Sequence, residues 1–476
     1  MKKVCLITPP SPFLMDERVF CSLGILKIGT VLEDAGYAVD HIDLSGVPDY
    51  VAALERYDGA RTFCITATSP QMPAAVKIAQ ALRKRGLKTI LGGPHATLTV
   101  AASKLPNGRN NVDSLTAIFD VVVAGDGEES IFQALSMDRG LIDADDPKSS
   151  LWISSKKFEE RWPARHLLDL GTYNYSIDGR RALSIISQLG CPFGCTFCGG
   201  RNSAMLRRIR TRSPESVIDE MLFLHETYGI TGLMFYDDEL NVNKQLIPLL
   251  KLIKETGIDW RLRGFLKAEL FNDEQAEAMY AAGFRQILIG FEAADERILE
   301  NIQKRATVAD NTKAVEIAHR NGLKVKALMS VGHAGETKHS ILKIRDWLCH
   351  VEPSDFDVTV ITPYPGSPYY DSAVQCSFAN YWVYTAKNGD RLFMDEVDFL
   401  SEAQYYKGAP GSYVSHVWTD FLNRESIVGL RDQVESEVRK ALSIPAYTCG
   451  SQFEASMGQT KLPPWILHEA SQEVCA

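Results

Sequence analysis

Short β-rich runs alternate with helical patterns twice along this chain, and that alternation limits the fold more than any other feature. In the first series Val4–Thr8, Ala38–Asp43, Phe63–Ala67, Thr89–Gly92 and Val121–Ala124 read as strands. Ile25, Ile28 and Leu32 recur between them at helical spacing, as do Val76, Ala79 and Leu82. Strands that each lead into a helix predict a parallel sheet covered on both faces, and ligands of such sheets sit beyond the carboxyl ends of the strands. The expected fold is α/β throughout. A flavodoxin-like (Rossmann-type) sheet spans residues 1–140, a linker 141–180, and a partial (β/α)6 barrel 181–370. A smaller, mainly helical C-terminal region spans 371–476.

The segments after the first strands carry the candidate ligand rim. Pro10, Thr68 and Ser69, then Gly92, Gly93, Pro94 and His95, then Gly125, Asp126, Gly127 and Glu128 all follow strand ends. Glycine there lets backbone approach a ligand without a Cβ in the way. Each loop alone also fits an ordinary turn; four on one edge read as a rim.

The second series has strand patterns at Leu183–Gln188, Gly232–Tyr236, Trp260–Phe265, Gln286–Phe291, Lys324–Met329 and Asp357–Ile361. Helical patterns fill the gaps, and Ser213-Pro214 is a helix-start signal. Six such units make a partial barrel, with its chemistry expected at the strand C-termini. Beyond Pro363-Tyr364-Pro365-Gly366-Ser367-Pro368 the alternation stops. The last stretch is rich in aromatics (Tyr381, Trp382, Tyr384, Tyr405, Tyr406, Tyr413, Trp418), with Ile427, Leu430, Val434 and Val438 on one helical stripe. It reads as a lid or substrate-shaping appendage, although packing alone also accounts for the rings.

Composition narrows the function. At 476 residues and ~150 per domain, roughly three domains are expected. No apolar run approaches the ~18 residues of a membrane helix, and the short apolar start before Pro9-Pro10 reads as a strand rather than a signal peptide. A net charge of -9 argues against binding nucleic acid or a membrane surface by charge. Seven of the ten cysteines are scattered (Cys5, Cys21, Cys64, Cys349, Cys376, Cys449, Cys475), as buried apolar residues of a cytoplasmic protein would be.

The other three stand together as Cys191-Pro-Phe-Gly-Cys195-Thr-Phe-Cys198, directly after the first barrel strand. Three thiolates at this spacing can wrap one soft metal centre. Structural zinc needs a fourth protein ligand, and a [4Fe-4S] cubane usually takes four cysteines, so three leave one iron open. Zinc completed by a distant residue, or three buried thiols, are the other readings.

This spacing resembles the signature of the radical S-adenosylmethionine (SAM) enzymes, and the resemblance continues along the barrel. Tyr236-Asp237-Asp238-Glu239 is similar to the acidic segment facing the SAM amino group. Gly290-Phe291-Glu292 is similar to a Gly-x-Glu SAM-contacting position. Gly332-His333-Ala334-Gly335-Glu336-Thr337 is similar to a Gly-x-Pro-Gly-Glu-Thr turn, with Ala334 in place of proline. The N-terminal loops Gly92–Thr97 and Gly125–Glu128 resemble those of the cobalamin-binding domain that precedes one class of these enzymes. The Asp-x-His-x-x-Gly motif of many corrinoid proteins is absent.

The resemblance implies a [4Fe-4S] cluster on Cys191, Cys195 and Cys198. It implies SAM contacts at Asp237, Asp238, Glu239, Glu292 and Gly332, with Arg208 of the basic run as a candidate fork onto the SAM carboxylate. Cobalamin falls to the four rim loops, with His95 touching the corrin rather than cobalt. The implied reaction is methylation of an unactivated carbon (or phosphorus) of a small metabolite. A 5′-deoxyadenosyl radical takes the hydrogen, methylcobalamin gives the methyl, and SAM remethylates the cobalt. An external flavodoxin or ferredoxin would supply electrons. Cobalamin-linked ring formation or rearrangement, a radical SAM enzyme whose first domain no longer binds cobalamin, and a non-catalytic corrinoid sensor or carrier are the alternatives.

Overall fold

A computed structural model of the chain describes residues 2–445 apart from 12–13, 15–16, 107–108, 110 and 404–413. Tyr405, Tyr406, Tyr413, Cys449 and Cys475 lie outside the described residues.

The first sheet is parallel throughout, in the order β2-β1-β3-β4-β5-β6. Its strands are β1 (Lys3–Thr8), β2 (Ala38–Asp43), β3 (Thr62–Thr66), β4 (Lys88–Gly92), β5 (Val121–Gly125) and β6 (Gly140–Ala144). The two-residue period of a strand sets its two faces. Cys5 and Ile7 of β1 join Phe63, Leu91 and Val122 in a core under the helix Met72–Lys84, while Val4 and Leu6 join Ile90 and Val123 under Leu23–Asp34 and Gly127–Ser136. The strand order reverses between β1 and β3, which opens a crevice at their carboxyl ends.

The expectation of a linker over 141–180 is corrected. Gly140–Ala144 pairs with β5 as a sixth parallel strand, Ile142 and Ala144 facing the core. The acidic residues around them hid the alternation.

The second sheet runs β15-β14-β13-β12-β11-β8-β7. Its strands are β7 (Ser176–Ile177), β8 (Arg180–Ile185), β11 (Gly232–Phe235), β12 (Arg261–Leu266), β13 (Phe284–Glu292), β14 (Lys324–Val331) and β15 (Asp355–Val360), with β9 (Gln188–Leu189) and β10 (Arg210–Thr211) forming a separate ladder. Six strands are parallel and curl as the partial barrel expected; β7 pairs antiparallel to β8. The far edge is covered by the helix Arg424–Leu442. Arg431 Nε donates to the Val358 carbonyl at 2.9 Å, and Glu435 accepts from the Val358 amide at 3.0 Å. An edge strand clamped this way cannot template pairing with another chain.

Ahead of that helix the C-terminal region adds a four-stranded antiparallel sheet: β16 (Val374–Gln375), β17 (Trp382–Thr385), β18 (Arg391–Met394) and β19 (Val417–Thr419). Strands this short carry too little alternation to be read from sequence. Much of the aromatic content packs here, with Phe393 and Trp418 stacked at 5.7 Å and Tyr384 edge-on to Tyr369 at 4.8 Å. Arg109 of the first domain inserts beneath Trp382 and Tyr370, 3.5 and 3.9 Å from their ring centroids, and pairs with Glu396 at 2.9 Å.

Candidate active site between two strand-end rims

The two sheets turn their strand ends toward one another around a cavity of about 830 Å³. One wall carries Thr68, Ser69, Gly92, Gly93, Pro94, Gly125, Asp126, Gly127 and Glu128; the other carries Gln188, Gly190, Gly199, Gly200 and Asp238 of the barrel. Gly93 holds φ +95°, and a Cβ there would lie 2.6 Å from Thr66 Oγ1. Gly93→Ala should therefore cost ~1–3 kcal/mol in a denaturant titration and weaken whatever ligand occupies this rim.

Two expected rim residues do not line the cavity. His95 turns inward from the first turn of Pro94–Ser103, where Nδ1 meets Ser69 Oγ at 2.9 Å and Nε2 meets Thr99 Oγ1 at 3.5 Å. Burial pushes its pKa down to about 4, so it stays neutral. Pro10 is buried, next to Pro9, whose carbonyl accepts from Gln71.

The cysteine loop is closed at its base by the β9–β10 ladder and by the Cys191 amide, which donates to the Leu206 carbonyl at 2.9 Å. Gly190 holds φ +88° because the Arg208 carbonyl occupies the place of a Cβ. The Thr196 amide donates to Ile302, and the Thr196 carbonyl accepts from Tyr369. Cys191 and Cys195 are half-buried and Cys198 is exposed; Gly190, Gly199 and Gly200 beside them, rather than the cysteines themselves, line the cavity. Burial raises all three thiols, Cys191 to about 12 and Cys198 to about 11. As free groups they are neutral, and each releases its proton when its sulfur binds a metal centre. Three sulfurs with no oxygen or imidazole donor fit a soft iron–sulfur centre. Among the described residues no three His, Cys, Asp or Glu side chains are grouped tightly around a single point.

The charged groups nearest the sulfurs come from other segments of the barrel. Lys304 Nζ pairs with Glu292 at 3.3 Å, and Lys267 Nζ reaches the Lys304 carbonyl at 2.8 Å and Glu269 at 2.6 Å. Both lysines work against the raised pKa of Cys195, and Glu239, pushed to about 7 by burial, sits among them. Burial opposes the charge on Lys304, but Glu292, Cys195 and Glu239 raise its pKa overall. Glu292 holds φ +69° at a bulge in β13, and Ser330 Oγ donates to its other oxygen at 2.7 Å. Ser330 continues to His333 Nε2 at 2.8 Å. The lysines were missed in the sequence because neither sits in a spacing pattern; for Lys267 its position directly after a barrel strand was the one usable signal.

Three further expectations are corrected. Asp237 does not face the cleft: it accepts from the Ser187 hydroxyl at 2.9 Å and from the Ser187 and Gln188 amides, so it braces the chain leading to the cysteines. Burial pushes it up to about 7. Gly332 turns at φ +95° against Val417 and donates its amide to Glu336. Arg208 is exposed and lines no part of the cavity. The neighbouring arginines are clamps: Arg207 on the Pro192 and Phe193 carbonyls, Arg210 on Asp126 at 2.6 Å, Arg212 on Glu220.

Glu336 closes the Gly332–Thr337 turn by accepting from the Gly332 and His333 amides, and burial pushes it up to about 8. A carboxyl whose folded pKa lies above its unfolded value of about 4.5 loses stability as pH rises through that window. Glu336→Gln keeps an acceptor for both amides. Its unfolding midpoint should fall less than wild type's between pH 5 and 8, and an unchanged slope would count against the assignment.

Residues 185–348 match the Radical SAM superfamily and residues 18–134 the B12 binding domain. An uncharacterized methyltransferase of Pyrococcus horikoshii is 29% identical over 332 residues, 65% of this chain and 68% of that protein. The anaerobic magnesium-protoporphyrin IX monomethyl ester cyclase of Cereibacter sphaeroides is 25% identical over 71% of this chain, and the match spans only 58% of the cyclase. The radical SAM methyltransferase TsrM of Kitasatospora setae, solved with cobalamin and a [4Fe-4S] cluster, shares the fold over 100% of both chains, with a TM-score of 0.64 and 16% identity. TsrM was also solved with tryptophan substrate and a SAM analog. A B12 binding domain thus precedes a radical SAM domain here. These two domain matches, in this order, support a cobalamin-dependent radical SAM enzyme. No helix among the described residues is long and apolar enough to cross a membrane.

Proposed function

We propose that this chain methylates an unactivated carbon of a small molecule in the cavity between the two rims. The carrying observation is that single cavity, whose walls are the glycine-rich loops of the first sheet and the flanks of the cysteine loop. The cluster would supply the electron that splits the SAM sulfonium, and the corrinoid the methyl group. Cys191, Cys195 and Cys198 hold the cluster in this reading. Asp238 and Glu239 accept from the SAM ammonium, and Glu292, fixed by Lys304 and Ser330, accepts from a hydroxyl or the same ammonium. The glycines at 92, 93, 125 and 127 let corrin lie on backbone. Rigid placement of this kind supplies catalysis through orientation and exclusion of water.

The test uses anaerobically reconstituted protein with corrinoid, a reductant, SAM labelled in its methyl group, and a small-metabolite extract. Label in a carbon–methyl product, with 5′-deoxyadenosine formed, is the expected result. Zinc in place of iron, or no 5′-deoxyadenosine, overturns it. Similarity to the cyclase favours ring formation as a second reading, whose product would carry no label.

A further inference from the structure

We propose that His333 is a positioning residue for Glu292: it holds the Ser330 hydroxyl on that carboxylate and ties it, through Tyr369 and Phe197, to the cysteine loop. The proposal rests on the reading that Glu292 accepts from SAM. Glu292 stands where β13 slips register against β14, at φ +69°. A glutamate keeps that conformation only when its surroundings hold it. Its Oε1 accepts from Lys304 Nζ at 3.3 Å and folds over Gly290, where a Cβ would lie 2.6 Å from it. Its Oε2 accepts from the Ser330 hydroxyl at 2.7 Å.

Counting hydrogens gives this chain of contacts one direction. Ser330 has a single hydroxyl proton, and a carboxylate only accepts, so that proton is spent on Glu292. Ser330 Oγ therefore meets His333 Nε2, 2.8 Å away, as an acceptor, and Nε2 carries a hydrogen. Burial pushes His333 down to about 3, so the ring is neutral and has no second N–H. Nδ1 is left to accept, and the Tyr369 hydroxyl 3.4 Å away is its donor. His333 and Tyr369 are fully buried and Ser330 nearly so, which keeps bulk water from competing for these groups. The far end is fastened to the cysteine loop. The Tyr369 amide donates at 3.0 Å to the carbonyl of Thr196, the residue after Cys195. Phe197, between Cys195 and Cys198, sets its ring edge-on to His333 at 5.4 Å between centroids. The loop that bears the sulfurs and the carboxylate near them thus share one buried support. Without His333 the Ser330 hydroxyl loses the donor that fixes its rotation, and Glu292 its set position.

The direction of the chain is read first, without any cofactor, by nitrogen NMR of protein labelled in its histidines, with the His333 signals identified by their loss in His333→Gln. They should show a neutral ring protonated at Nε2, unchanged between pH of about 5.5 and 8. A proton on Nδ1, or a ring that charges in this range, overturns the proposal. Equilibrium dialysis of SAM against reconstituted protein, with no reductant, tests the consequence. Ser330→Ala and His333→Leu should each weaken SAM binding about tenfold, and His333→Gln, whose amide can still donate to Ser330, should recover most of the loss. Adding His333→Leu to Ser330→Ala should weaken binding no further, because His333 acts through the hydroxyl. A merely structural histidine gives losses that add. Additive losses, or wild-type affinity in His333→Leu, overturn the proposal. Wild type that holds about four irons yet binds no SAM, or Glu292→Gln that binds it as tightly, counts instead against the proposed function. Should His333→Leu not fold, Tyr369→Phe keeps the ring and removes the outermost donor; about threefold weaker SAM binding is then expected, and unchanged binding overturns the proposal.

Discussion

Cys195→Ala is expected to lower the iron of the reconstituted protein from about four per chain to a small residue, and to abolish SAM cleavage. A cluster with three protein thiolates has none to spare. The loss should exceed the ~100-fold typical of removing an outer hydrogen-bond partner of a metal ligand. The fold should survive. The loop is held by the β9–β10 ladder, by Arg207 on its carbonyls and by Thr196 between Ile302 and Tyr369, none of which uses the Cys195 sulfur. A half-buried cysteine cut back to alanine removes one sulfur from a polar setting, so unfolding free energy should shift by no more than ~1 kcal/mol. Iron analysis beside a denaturant titration checks both halves. Full iron and turnover in a folded variant would remove the cluster assignment. An unfolded variant moves the same test to Cys191→Ala.

Arg210→Met should be the most damaging change outside the cysteines. Arg210 and Asp126 are about 4% and 5% exposed and join the last rim loop of the first sheet to the base of the cysteine loop. The guanidinium also reaches the Ile153 carbonyl at 3.0 Å, and the Ile153 amide binds Asp126 at 2.9 Å. Removing one partner leaves a buried charge without compensation, a loss of ~3–5 kcal/mol. The pH dependence identifies the cause. Burial already pushes Asp126 to about 6 despite Arg210. Without the arginine its folded pKa rises further above the unfolded value, so stability falls as pH climbs through the interval between them. The variant should be nearer wild type at pH 5 than at pH 8. Asp126→Asn added to Arg210→Met should restore much of the loss, because the pair is then neutral. A double variant as unstable as the single one would point to lost packing on Trp152 instead.

The recognised and the missed parts of the site divide along a physical line. The cysteine trio was legible because all three donors sit on one short loop. The rim glycines were legible because each follows its own strand. His95 was misplaced because its sequence neighbourhood is that of a rim loop, while the inward turn was set by hydroxyls at Ser69 and Thr99. Asp237 and Asp238 are adjacent, yet strand-end geometry sends one under the loop and the other into the cavity. Lys267 and Lys304 reach Cys195 from separate loops, and nothing local marks them.

Periodicity and spacing along the chain determined two βα layers, six barrel strands and a three-sulfur loop at the first barrel strand's end, because each of these is a property of neighbouring residues. Tertiary structure alone decided that the two rims share one cavity, that Asp126 meets Arg210 across 84 positions, and which carboxylates face the cleft. Those outcomes depend on charges and surfaces brought together by packing, and only the folded chain sets their distances.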